Sequence, residues 1–164
     1  MTGEKYVKDF MINIFDYPHV PYWFSIGQAA HLVRMSFTGQ GERPDPIAIL
    51  VFDEKYNLVG TLGRNEILKG LGPENWTSAP EGSDMQADIT DDFCREAGKR
   101  AERPVSEIMV SVRNYVEPGD SINRAAFLMV RNGLLLLPVL EEKKKFVGLI
   151  RMAEVFDYLV AAVE

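Results

Sequence analysis

Cysteine and histidine are almost missing from this 164-residue chain: Cys94, His19 and His31 are all it has. A lone thiol excludes an intrachain disulfide, so nothing in the sequence requires an oxidising compartment. The two histidines have no Cys or Glu partner at ligand spacing, which leaves no metal motif. Cys94 has no identifiable base beside it. Without a nucleophile–base pair, a metal constellation or a cofactor fingerprint, no enzyme is expected. Long hydrophobic runs are absent too. The longest apolar stretches, such as residues 134–140, fall far short of the roughly 20 residues of a membrane-spanning helix. The N-terminus lacks the basic-then-apolar order of a secretory signal. Positive charge is in deficit, with 18 basic against 24 acidic side chains and a net charge of −6. Such a balance repels phosphate backbones. The expectation is a soluble, cytoplasmic protein with no membrane and no nucleic-acid partner.

What the chain does have is a core and a repeat. Hydrophobic residues make up 46% and charged residues 26%, enough apolar material for a buried interior. Internal similarity decides how that material is arranged. Val7-Lys8-Asp9-Phe10-Met11 aligns with Val105-Ser106-Glu107-Ile108-Met109, polar with polar and Met with Met. Ser25-Ile26 with Ala29-Ala30 then aligns with Ser121-Ile122 and Ala125-Ala126. Leu58-Val59-Gly60-Thr61-Leu62 follows against Phe146-Val147-Gly148-Leu149-Ile150, and Glu66-Ile67 against Glu154-Val155. An ordered series of matches is a duplication. Repeat 1 is placed at residues 6–71 and repeat 2 at 104–164, with a linker at 72–103.

Each repeat reads strand–helix–strand–strand–helix after a short lead-in at Val7 or Val105. Ser25 and Gln28 form a capping box ahead of the helical series Ile26, Ala29, Ala30, Val33 and Phe37. Ser121 caps the second helix, and Asn132-Gly133 ends it. The continuously apolar runs 47–52 and 134–140 are too short for helices and suit strands covered on both faces. Polar turns at 53–57 and 141–145 return the chain into strands at 58–62 and 146–150. Final helices are expected at 65–71 and 152–163. The fold class is therefore α/β, of the α+β kind.

The linker begins with Gly70, Gly72, Pro73, Pro80 and Gly82 and is irregular there. Residues 88–101 suit a helix, with acids early and Arg95, Lys99 and Arg100 late. Asp84, Asp88, Asp91 and Asp92 lack calcium-loop spacing and read as a solvated segment. The Gly- and Pro-rich loop 36–46 is longer than its counterpart in repeat 2, and its Gly39-Gln40-Gly41 lacks the remainder of a phosphate loop. Lys143-Lys144-Lys145 beside Glu141-Glu142 reads as a solvated turn. The aromatic group Phe15, Tyr17, Tyr22, Trp23 and Phe24 fits either packing or stacking on a planar ligand.

In this order and duplication the motifs resemble a tandem pair of cystathionine-β-synthase (CBS) domains, a Bateman module. The resemblance is carried by Val105 to Met109, Ser121-Ile122, Leu137-Pro138-Val139-Leu140, Val147-Gly148-Leu149-Ile150 and Glu154-Val155. It implies two α/β halves related by pseudo-twofold symmetry with clefts between them, and pairing into a homodimer. It also implies a regulatory role: binding an adenosine-type ligand (AMP, ADP, ATP or S-adenosylmethionine) and modulating a separate regulated protein. No cofactor beyond such a ligand is implied. The alternative is a structural or interaction homodimer whose clefts bind nothing.

Family members that bind nucleotide follow the glycine strand with Thr or Ser and, three residues later, an Asp for the ribose hydroxyls. Here those positions are Gly63 and Glu66 in repeat 1, and Arg151 and Glu154 in repeat 2. Both acids are one methylene longer than Asp, and neither hydroxyl is present. The resemblance places Glu154 on the ribose, Arg151 on phosphates, and the backbone of Val112, Arg113 and Tyr115 beside the base. Glu66 and Arg64 form the corresponding set in repeat 1. Two readings of Arg151 stand: a bidentate phosphate ligand, or the i,i+3 partner of Glu154 on its own helix.

Overall fold

The computed structural model describes residues 3–13, 17–37, 48–86 and 88–164. Its helices and strands follow the local chemistry closely. Ser25 Oγ accepts from the Gln28 N–H at 3.1 Å and Gln28 Oε1 accepts from the Ser25 N–H at 2.9 Å, so the capping box forms ahead of α1 (Ile26–Phe37). Ser121 Oγ accepts from the Arg124 N–H to open α5 (Ile122–Asn132), and Gly133 closes it at φ 64°. Strands β3 (Ile49–Phe52) and β4 (Leu58–Leu62) form a hairpin, as do β6 (Leu136–Glu141) and β7 (Lys145–Arg151). The final helices are α2 (Arg64–Leu71) and α6 (Met152–Val163). The run 134–140 enters its strand two residues later than expected: the Leu134 N–H still donates to Met129 O at the end of α5. In the linker, α3 (Asn75–Ser78) was not foreseen. α4 (Asp91–Arg100) starts at the Thr90 cap rather than at residue 88. Most of the loop 36–46, with Gly39-Gln40-Gly41, lies outside the described residues, while Ser36 belongs to α1.

The compact units do not coincide with the sequence repeats. One unit is Val112–Glu164 together with the N-terminal segment through Tyr17, and the other is Pro18–Ser111. The first holds a three-stranded sheet in the order β1 (Ile12–Asn13), β7, β6. The second holds a four-stranded sheet in the order β2 (His19–Pro21), β3, β4, β5 (Val110–Ser111). Each lead-in has therefore crossed to the other repeat. Val7 is buried with Val116, Ile122, Met129 and Ile150 of repeat 2, and Val105 with Val20, Ile26, Ile49 and Leu62 of repeat 1. Because the repeats match in sequence, the exchange is reciprocal.

Two glycines make the exchange sterically possible. β1 pairs antiparallel across β7, with Asn13 opposite Gly148. A Cβ on Gly148 would lie 2.5 Å from the Ile12 carbonyl oxygen. β5 pairs across β4, with Ser111 opposite Gly60. A Cβ there would lie 2.6 Å from Met109 Sδ and 3.0 Å from the Val110 carbonyl oxygen. Met11 and Met109, aligned in the sequence, reach their glycines in the same way. Backbone cannot yield as a thioether can. Gly148→Ala is expected to destabilise by about 1–3 kcal/mol, the usual cost of forcing an extra carbon into a packed site. Gly60→Ala should cost less, because Met109 adopts other rotamers. Urea unfolding of the two variants checks the order.

Candidate functional site

The N-terminal end of α6 gathers the repeat-2 candidates. Arg151 is the last residue of β7 and the N-cap of α6, with extended backbone dihedrals. Cationic side chains are unfavourable at this end of a helix, where the unsatisfied N–H groups already carry positive partial charge. Glu154 in the first turn compensates. Its carboxylate accepts from Arg151 Nε at 2.9 and 3.1 Å and also from Nη2. The i,i+3 pair is thus formed, and it is well covered, the two side chains being 12% and 20% exposed. Donation of hydrogen bonds to the Glu154 carboxylate holds the guanidinium pKa above its ordinary value; burial opposes this, and the negative charge of the same carboxylate adds to it.

Tyr17 was read in the sequence as one of an aromatic group, not as part of the unit that holds Arg151. It is 5% exposed and reaches this unit because the N-terminal lead-in has crossed over. The exchange, which duplication alone does not announce, is the signal that was needed. The aromatic group itself is divided. Phe15 lies outside the described residues, and Tyr22 and Trp23 are exposed in the other unit, edge to face at 5.3 Å. Phe24 packs against the core of that same unit.

The segment 112–115 leads directly into Val116, which is bound to the same sheet. Val116 runs parallel to β6, bridged to Val139; its N–H donates to Pro138 O at 3.0 Å and its carbonyl accepts from Leu140 N–H at 2.9 Å. Followed backwards from Val116, the chain leads toward the start of β6, where Leu136 is paired with Arg151. Arg151, through its pairing with Leu136, and Val116, through its bridge to Val139, therefore both lie beside β6. Val112, Asn114 and Tyr115 are half-buried and Arg113 is exposed.

Repeat 1 arranges its set differently. Glu66 Oε2 accepts from the Gly63 N–H at 2.8 Å, so this carboxylate caps its own helix. Arg64 is exposed one position further along than Arg151 stands in repeat 2, and no i,i+3 pair with Glu66 is available to it. Repeat 2 combines a paired arginine and carboxylate with the start of a twelve-residue helix. Chemically, that combination holds an anion, and at present the anion is the chain's own Glu154.

Among the described residues no helix is long and apolar enough to cross a membrane. Residues 105–161 match the family model for the CBS domain. The chain is similar in structure to CBSX2 of Arabidopsis thaliana in complex with AMP, at 18% identity and TM-score 0.66, covering 97% of this chain and 98% of that one. A CBS domain-containing protein from Bacillus anthracis gives 19% identity and TM-score 0.69, covering 96% and 94%. The cytosolic domain of the Mg2+ channel MgtE in complex with ATP gives 21% and 0.63, covering 93% of this chain and 48% of that one. Comparison with curated proteins yields no match. At these identities the likeness establishes the fold.

Both candidate carboxylates support their own helices, and their removal should register in stability. Glu154→Ala strands a guanidinium whose side chain is 12% exposed and should cost about 1–3 kcal/mol. Glu66→Ala removes one capping bond and should cost about 1 kcal/mol. Thermal denaturation of the two variants side by side measures the difference.

Proposed function

With residues 105–161 matching the CBS domain and the chain sharing the fold of CBS-pair proteins, we propose that this protein is a regulatory module. It binds an adenosine-type ligand (AMP, ADP, ATP or S-adenosylmethionine) and thereby alters its contacts with a separate partner. The observation that carries this is the covered Arg151–Glu154 pair at the start of α6. It is an anion site already filled by an internal carboxylate. A phosphate, or the carboxylate of S-adenosylmethionine, competes for the guanidinium. Glu154, once released, accepts from ribose hydroxyls, and residues 112–115 supply backbone groups for the base. Two of the similar structures carry AMP and ATP, which supplies the ligand class. Because ligand must displace an existing pair, affinity is moderate. Regulation then follows from differential affinity for the paired and released arrangements.

The same unit presents an apolar face suited to a second copy. On α6, Phe156, Leu159 and Val163 recur at helical spacing and are 61%, 43% and 84% exposed; on α5, Phe127 and Val130 are 57% and 80% exposed. Large exposed apolar side chains recurring on two helices support an interaction site. The module is read as a homodimer with a twofold axis, built largely from helices; in the other unit Met35 of α1 and Leu68 of α2 are also exposed.

Calorimetry with AMP and ATP tests the ligand reading. Dissociation constants on the order of micromolar to hundreds of micromolar are expected, weakened about tenfold by Arg151→Ala or Glu154→Ala. Binding unchanged by both substitutions removes the site assignment, and absence of binding leaves the interaction dimer. Light scattering tests assembly: a dimer is expected for the unsubstituted chain, and a monomer for the Phe156→Glu, Leu159→Glu variant. A monomer at micromolar concentration in the unsubstituted chain contradicts it.

A further inference from the structure

Residues 73–92 carry six carboxylates, Glu74, Glu81, Asp84, Asp88, Asp91 and Asp92, and no lysine, arginine or histidine. The same stretch folds around a cavity of about 660 Å3 whose walls include Pro73, Trp76, Pro80, Met85, Ile89 and Phe93. That volume is within the range of sites that receive large side chains or small molecules. The apolar walls are open to solvent, with Trp76 44%, Met85 48% and Ile89 56% exposed.

The aromatic walls are held in place. The rings of Trp76 and Phe93 lie 5.7 Å apart and tilted by 33°, and Arg100 stacks over Phe93 at 5.9 Å. Arg100 Nε also donates to Leu71 O at 2.6 Å, tying α4 to the end of α2. Trp76 lies directly on Gly72, where any Cβ would meet the indole. The cations of α4 are engaged: Arg95 with Asp92 at 2.9 Å, Lys99 with Glu96 at 3.3 Å, and Arg100 as described. Among the described residues, Glu74, Glu81, Asp84, Asp88 and Asp91 take part in no ion pair.

We propose that this groove docks a basic segment of a partner protein, with apolar side chains entering between Trp76, Met85, Ile89 and Phe93 and flanking Lys or Arg meeting the carboxylates. Tryptophan is a frequent energetic anchor of interfaces, and methionine adapts to varied apolar shapes. Carboxylates spread from Glu74 to Asp92 exceed what one small cation contacts, which favours a polycationic chain segment. A second copy of this protein is disfavoured. Its lysine triplet, Lys143 to Lys145, follows Glu141-Glu142 directly, and its net charge is −6. The groove lies wholly within the Pro18–Ser111 unit.

The test uses the nucleotide-free full chain with Trp23→Phe, leaving Trp76 as the sole tryptophan. The probe is a synthetic peptide of about 12 residues with Leu and Phe on one helical face and Lys on the other. Saturable change in Trp76 fluorescence is expected, with a dissociation constant on the order of 10 μM. Raising salt from about 0.05 M to about 0.3 M should weaken it. Either Glu81→Gln with Asp88→Asn and Asp91→Asn, or Met85→Ala with Ile89→Ala, should weaken it about tenfold. A peptide with Glu in place of Lys should not bind, and spermine should bind far more weakly. Failure of the Lys peptide to bind, equal binding of the Glu peptide or of spermine, or insensitivity to either set of substitutions overturns the proposal.

Discussion

The close approach of backbone to two glycines is the constraint on which the rest of the structure depends. β1 crosses β7 at Gly148, where the Ile12 carbonyl leaves no room for a Cβ, and β5 crosses β4 at Gly60, where Met109 fills the space a Cβ would take. Through these crossings each lead-in adds a strand to its sheet, next to the core in which Val7 or Val105 is fully buried. Each compact unit therefore contains a segment from the other half of the sequence. A duplicated chain solves the same packing problem twice with the same residue types.

That exchange also prepares the candidate site. It carries Tyr17 into the unit of repeat 2, where the side chain is buried in the unit that holds Arg151. The start of α6, a guanidinium and a carboxylate then form a balanced cluster rather than three unrelated features. Repeat 1 shows what the alternative looks like. With Gly63 where Arg151 has its counterpart, Glu66 turns inward to cap its own helix, and no cation stands ready at that position.

Much of this was legible in the sequence because local chemistry governs it. Ser25 with Gln28, Ser121 with Gly133, and the helix 152–163 fall where capping and periodicity place them. The pairing of Arg151 with Glu154 was legible as one of two readings, since three residues on a helix bring side chains together. The exchange of lead-ins was not. Val7 and Val105 are equivalent by alignment, and an apolar residue does not specify which of two equivalent cores receives it. The placement of Tyr17 in the unit that holds Arg151 was hidden for the same reason. The groove around Trp76 was hidden because α3 is a single turn in a Gly- and Pro-rich stretch, where hydrophobic periodicity carries no signal.

The regulatory account thus rests on a fold shared with CBS pairs and on one covered ion pair at a helix start. Hydrogen exchange of backbone amides, with and without saturating AMP or ATP, tests it most directly, since bound ligand suppresses local opening where it contacts the chain. The account predicts added protection at residues 152–155 and 112–116, with lesser change at 64–67. Unaltered exchange at the start of α6 under saturating ligand, or protection confined to repeat 1, would contradict it.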